Sequence, residues 1–355
     1  MLPGPVRDLL DAPGVVSDMF VRTLGGLASD FRPEFDIPDL TGKVAVVTGG
    51  NSGIGFHTVQ ELARKGCKVY MGSRTETLAR AALDRLYKEG GIKPGLVKYL
   101  KIDLATPKSV KDAAEAFLRH ADGRLDILVC NAGVLQEHYK TVSEGGLTMS
   151  HSMAANHLGH FVLVQQLLPI MTETVALTRD VRIITVASEM HWFTPFYVNL
   201  RTVEGWNYRW DSLPARIQRY GLSKLANILF SAELQRRLRN NPATRQIVSI
   251  SVHPGEVSSE GGLRVIEENF PWMSWLWVWL ISVFALSPLH GSYTSLFAAT
   301  SIRVRSRPDK YGGAYLYPFD RVGRPSWRAR DRKLAEDLWK ASEEIAATCL
   351  EERKA

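Results

Sequence analysis

Tyr220 and Lys224 stand four residues apart in the run Tyr220-Gly221-Leu222-Ser223-Lys224. If the segment is helical, both side chains share one face. Leu225, Ala226, Ile228, Leu229, Phe230 and Leu234 recur at helical spacing, so a helix is expected to run to about Leu238. An ammonium beside a phenol favours the phenolate and draws its pKa below the usual value of about 10. A phenol tuned in this way exchanges a proton near neutral pH, which is the work of a general acid–base. The same spacing arises by chance on many surface helices. Its weight comes from the elements that would position it.

Residues 43–48 (KVAVVT) form a β-branched run between Gly42 and Gly49 and read as a buried strand. Gly49-Gly50-Asn51-Ser52-Gly53-Ile54-Gly55 follows at once, then a helical pattern over 56–65. Glycines in such a strand–turn–helix let the backbone approach a pyrophosphate, and the helix N-terminus offers it unpaired N–H groups. The spacing, Gly-x-x-x-Gly-x-Gly, differs from the G-x-G-x-x-G form. Residues 68–72 read as a second strand, with Ser73 and Arg74 just past its end. In a dinucleotide fold an acid there binds a free ribose 2′-hydroxyl, and an arginine there accommodates a 2′-phosphate. No acid is present, and Arg74 is a planar charged fork. NADP(H) is therefore expected over NAD(H).

Further strands are expected at 97–104, 125–130, within 180–188, at 246–253 and at 313–319, with helices over 77–89, 107–120, 146–171 and 326–350. Residues 189–219 read as irregular and rich in aromatics. Alternating strands and helices imply an α/β fold, a doubly wound parallel sheet of about seven strands covered on both faces. The expected organisation is an extension over 1–39, a dinucleotide-binding catalytic domain over 40–325 with an apolar lid at 262–290, and a C-terminal helix over 326–355. The extension either wraps the domain or is loosely ordered, and residues 19–24 within it have the composition of a membrane-surface piece.

Apolar residues make up 45% and charged residues 23% of the 355, an ordinary globular balance that excludes fibrous and disordered classes. Net charge is +7, a sign that suits nucleic acid or an anionic membrane. No nucleic-acid motif accompanies it, and no nucleic-acid partner is expected. Cys67, Cys130 and Cys349 are far apart, with neither metal nor disulfide spacing, and read as reduced residues in a cytoplasmic compartment, at the cytosolic face of a membrane if one is touched. No apolar core of signal-peptide type appears at the N-terminus. His157, His160, His191 and His253 read as packed residues, and no metal is expected.

Five separated motifs resemble, in the same order, those of the short-chain dehydrogenase/reductase family, over roughly residues 40–320. They are Thr48-Gly49 through Gly53-Ile54-Gly55, then Asp103-Leu104, then Asn131-Ala132-Gly133, then Ser188 with Tyr220 and Lys224, then Pro254-Gly255 with Val257. Asn156-His157-Leu158-Gly159-His160-Phe161 is similar to the retinol-dehydrogenase-like branch. So is the run from Val186 to His191, with Ala187 where serine is commoner. The resemblance implies that Tyr220 is the proton donor in reduction, and that Lys224 lowers its pKa and holds the nicotinamide ribose. It implies that Ser188 bonds the substrate oxygen. Asn156 would interrupt its helix and hold a water linking Lys224 to solvent. Asp103 would contact adenine, and Asn131 the adenine-side ribose. Val257 and Ser259 would cover the nicotinamide amide, Ser259 replacing the usual threonine. The gap from Ser188 to Tyr220 is longer than in the simplest members, which marks 189–219 as an insertion beside the site.

From Asn269 to Ile302 no Asp, Glu, Lys or Arg occurs, and the centre, 272–286, carries four tryptophans. Pro271 and Pro288 bracket a run short for a span, and tryptophans suit an interface. Three readings stay open: a substrate lid that also touches a membrane through 270–287, a lid or subunit contact as in a homodimer, and a spanning helix. The first two imply an apolar substrate, as do Trp192, Phe193, Phe196, Trp206 and Trp210. The expected activity is an NADP(H)-dependent oxidoreductase acting on CH–OH groups of a bulky lipophilic substrate, retinoid-, steroid-, terpenoid- or polyketide-like, in biosynthesis. The alternative is a catalytically silent nucleotide-binding regulator or scaffold, which need not keep Asn156, Ser188, Tyr220 and Lys224 together.

Overall fold

The computed structural model describes residues 30–135, 138–209, 212–255, 257 and 286–351. Residues 1–29, Trp210, Ser259 and the 258–285 part of the apolar stretch lie outside the described residues. The expectations that fall on them are therefore not addressed by the structure.

The β-branched runs form the middle of one sheet. Val44–Thr48 (β1), Lys68–Ser73 (β2), Val97–Lys101 (β3), Ile127–Cys130 (β4), Val181–Val186 (β7), Ile247–Val252 (β8) and Tyr315–Tyr317 (β9) pair in parallel. Arg321–Gly323 (β10) closes one edge antiparallel to β9. The order is β10-β9-β8-β7-β4-β1-β2-β3. A separate hairpin joins Thr141–Glu144 (β5) and Leu147–Ser150 (β6). Strands β1, β4, β7 and β8 are buried along their whole length, which is why they read as continuous apolar runs rather than alternating ones.

Helices cover both faces. On one lie Gly53–Arg64 (α1), Glu76–Lys88 (α2) and Pro288–Thr300 (α6), burying Val59, Leu62, Leu86 and Phe297. On the other lie Pro107–His120 (α3), His151–Thr178 (α4), Leu213–Asn240 (α5) and Arg332–Leu350 (α7). These bury Phe117, Phe161, Leu229 and Trp339 in a second core. By length and composition α4 is apolar enough to cross a membrane. Its Phe161, Leu163, Leu167 and Met171 instead fill that core against the sheet. Phe31 and Ile37, in the expected extension, are buried, and Phe31 meets Phe297 edge to face at 5.4 Å.

The seven expected strands all appear in one sheet, and 321–323 adds an antiparallel edge as an eighth. Four expectations about element bounds are corrected. Residues 147–150 are strand, because Gly145 and Gly146 both take positive φ (61° and 82°) and turn the chain into a hairpin. The helix then runs past 171 to Thr178 despite Pro169. Helix α5 begins at Leu213, capped by the Ser212 hydroxyl, so Tyr220 sits two turns inside it rather than at its start. The C-terminal helix starts at Arg332, where the Asp331 side chain accepts from Leu334 N.

The buried histidines stitch these layers together. Ser342 Oγ donates to Leu338 O, so it accepts from His157 Nε2 at 2.8 Å and ties α7 to α4. His191 Nδ1 donates to Ser188 O at 2.7 Å and its Nε2 accepts from Ser326 N at 3.0 Å. Burial holds His160 and His191 down to about 4, and His157 and His253 to about 3. Unfolded, each takes up a proton at about 6.5. The unfolded chain therefore binds more protons between about pH 4 and 6.5, and stability is lost as pH falls through that window. The slope should reach about 5 kcal/mol per pH unit if all four act. Urea denaturation at a series of pH values measures it. Stability that stays level from about pH 7 to 5 would contradict this role for the imidazoles.

Candidate active site

In the sheet, β2 and β3 lie to one side of β1, while β4, β7 and β8 lie to the other. Ligands of open α/β sheets enter at the carboxyl ends of strands where the order reverses. A cleft of about 860 Å³ opens at this point.

One wall of the cleft is the glycine turn. Gly49, Asn51, Ser52, Ile54 and Gly55 line it, whereas Gly53 shapes the turn with a φ of +53° and does not. A Cβ on Gly55 would stand 2.2 Å from Gly49 O, so only glycine lets α1 begin this close to the strand end. Ser52 is the N-cap and makes no side-chain cap bond. The first N–H groups of α1 have no intrahelical acceptor. A negatively charged group is favoured there.

Arg74 lines the cleft just beyond β2 and is exposed. Asp103 and Leu104 line it beyond β3, and the Asp103 carboxylate accepts from Ala105 N at 3.0 Å. Asn131, Ala132 and Gly133 form the floor. The Thr48 hydroxyl accepts from Asn131 N (2.9 Å) and Ala132 N (3.0 Å), while Asn131 Nδ2 donates back to Thr48 O (2.9 Å). Pro254, Gly255 and Val257 line the far side beyond β8.

Tyr220, Lys224 and Ser188 meet in the same cleft. Lys224 Nζ lies 5.4 Å from the Tyr220 ring centroid and donates to Val186 O at 3.0 Å. Burial without a carboxylate partner brings the Lys224 ammonium down to about 8. Ser188 Oγ accepts from Met190 N at 3.2 Å, which leaves its own O–H to donate elsewhere. Asn156 does not line the cleft. Its side chain is fully buried at the centre of a π-turn, Ala154–Leu158. There Oδ1 accepts from Val134 N (2.7 Å), and Nδ2 donates to Val134 O (3.1 Å) and Ser223 Oγ (2.9 Å).

A family model described as short chain dehydrogenase matches residues 43–196. The short chain dehydrogenase/reductase dpchH of Colletotrichum higginsianum is 40% identical over 329 residues, 90% of this chain and 78% of that one. The chain belongs to the short-chain dehydrogenase/reductase family. Human retinol dehydrogenase 11 is a further relative, 33% identical over 85% of both chains. Among solved structures, an uncharacterised protein of Mycobacterium paratuberculosis superposes with a TM-score of 0.65 at 29% identity, covering 90% of this chain and 98% of that one. The Pseudomonas aeruginosa RhlG/NADP complex superposes at 0.59 with 22% identity, over 82% and 98%, and so shares the fold. Members of the short-chain dehydrogenase/reductase family are oxidoreductases that use nicotinamide cofactors. The cleft fits such a dinucleotide: Gly55 lets the open N-terminus of α1 sit close against the end of β1 in the cleft wall, and Arg74 stands at the β2 end.

Several residues at this short-chain dehydrogenase/reductase site escaped the sequence reading. A Cβ on Gly221 would stand 2.2 Å from Phe193 O and 2.5 Å from Met190 O. The glycine after Tyr220 therefore lets α5 press against the turn that carries Ser188. Asn227 Nδ2 shares the Val186 carbonyl with Lys224, at 3.1 Å. Ser223 Oγ donates to Tyr220 O at 2.8 Å. The Gly221 and Asn227 contacts cross between elements and no local spacing announces them, whereas the Ser223 bond lies within α5.

Proposed function

We propose that this family member uses NADP(H) to interconvert the hydroxyl and carbonyl of a bulky lipophilic substrate, with Tyr220 as proton donor and acceptor. The observation that carries this is the meeting of Tyr220, Lys224 and Ser188 in one cleft with the glycine turn and Arg74. Gly49 to Gly55 and Asn131 to Gly133 would hold the dinucleotide, which when bound supplies or accepts the hydride. As charge develops on the substrate oxygen, the Tyr220 and Ser188 hydroxyls donate to it. Lys224 is mostly an ammonium at pH 7, with one donor used on Val186 and two remaining. Its charge favours the phenolate and attracts the dinucleotide.

An apolar substrate is supported by Met190, Ile217, Leu135 and Val257 in the cleft wall. The name of the human relative, a retinol dehydrogenase, points the same way. The NADP(H) preference rests on Arg74 and on the lack of an acid at 73–75. Arg74→Ala should lower kcat/KM for NADPH roughly 10- to 100-fold, the worth of a charge-assisted bond, and leave NADH nearly unaffected. Parallel kinetics with both coenzymes measure it. A panel of ketones, aldehydes and alcohols of graded hydrophobicity tests the reaction. Lipophilic members should turn over fastest. Equal rates on small hydrophilic ketones would overturn the substrate class, and no consumption of reduced coenzyme on any member would overturn the reading as a whole.

A further inference from the structure

His160 is buried in α4, one turn after Asn156, with 1% of its surface exposed. Its Nδ1 lies 3.0 Å from Asn156 O. A carbonyl only accepts, so Nδ1 carries the proton. Its Nε2 lies 2.9 Å from Thr48 Oγ1. Burial keeps the ring neutral, so Nε2 is a lone pair and Thr48 donates to it. The alternative acceptor for that hydroxyl, Val129 O, is more distant at 3.4 Å, and choosing it would orphan a buried nitrogen.

The consequence reaches the floor of the cleft. A threonine hydroxyl has one proton and two lone pairs. With the proton committed to His160, both lone pairs face the N–H groups of Asn131 and Ala132. On the other side, Asn156 carries the connection through Nδ2 to Ser223 Oγ, which donates to Tyr220 O. One buried hydrogen-bonded chain thus runs from the ends of β1 and β4, through His160, to the helix that carries Tyr220.

We propose that His160 is a positioning residue, which sets the Asn131–Gly133 floor against the Asn156 side of the site through Thr48 Oγ1 and Asn156 O. This role presupposes the chemistry proposed at Tyr220. The two can fail separately, because amide exchange in the dinucleotide-free protein reads the positioning without turnover. His160→Phe keeps a ring and loses both bonds, and Thr48→Val cuts the same chain at its other end.

In either variant, amide exchange across 131–134 should speed up roughly 10-fold or more, as expected for a lost buried hydrogen bond. Turnover should fall roughly 10- to 100-fold. The double variant should be no slower than the worse single, since both break one chain. His160→Gln, which keeps a donor and an acceptor, should recover part of the loss. If His160→Phe does not fold, Thr48→Ser against Thr48→Val carries the comparison, with the serine behaving as wild type. Unchanged exchange at 131–134 in Thr48→Val, or losses that multiply in the double variant, would overturn the role. Faster exchange combined with an unaffected Tyr220→Phe enzyme would keep it and remove the proposed chemistry.

Discussion

Tyr220→Phe is expected to lower turnover about 1,000-fold, the usual worth of a positioned proton donor, while the affinity for NADPH stays within about threefold of wild type. The phenol is half-buried in the cleft wall, and its ring packs near Lys224 Nζ. Phenylalanine keeps that packing and removes only the hydroxyl. The helix should not move, because α5 is held by Gly221 against the 190–193 turn and by Leu222, Leu225 and Leu229 in the core. Stopped-flow turnover together with coenzyme fluorescence titration separates the two effects. Turnover within tenfold of wild type would remove Tyr220 from the chemistry and favour a nucleotide-binding protein that does no catalysis.

Lys224→Met should act in opposite directions on function and stability. The ammonium is fully buried, and burial alone brings its pKa from 10.5 to about 8. Its folded pKa is depressed, so the folded state holds fewer protons than the unfolded one between about pH 8 and 10.5. The burial cost is fully present below about pH 8, where both states are charged, and amounts to about 3 kcal/mol. A methionine of similar length carries no such cost, and the thermal midpoint should rise by several degrees. Activity should fall about 100- to 1,000-fold in kcat/KM, because both the charge beside Tyr220 and the donor toward the dinucleotide are gone.

The wild-type profile tests the same group. Since kcat/KM reports the free enzyme, the value for the dinucleotide should fall above about pH 8, as Lys224 loses its proton, and the variant should lack that break. A lower thermal midpoint in Lys224→Met would show that the lysine serves the fold instead.

Much of the cleft was legible in the chain itself. The β-branched run 43–48, the glycines after it and the Tyr220–Lys224 spacing are local signals, set by backbone conformation and helical period. Each stays within a few residues; the glycines and the tyrosine–lysine pair land on the cleft wall, and 43–48 leads into it. The hairpin at 141–150 was missed because its strands have only four residues each and are largely exposed or half-buried, too short for an alternation to stand out in the sequence. The early start of α5 was missed because Pro214 and the charged residues after it hide a helical face. The Ser212 cap was the available signal.

Sequence alone therefore determined the parallel sheet, the glycine turn, the tyrosine–lysine pair and the family they resemble. Tertiary structure decided which buried polar groups meet. Asn156 spends its amide on Val134 and Ser223 instead of facing the cleft, and His160 joins Thr48 to Asn156. The reason is physical. Periodicity comes from the geometry of a single element, whereas a buried donor takes whichever acceptor the packing of separate elements brings within about 3 Å.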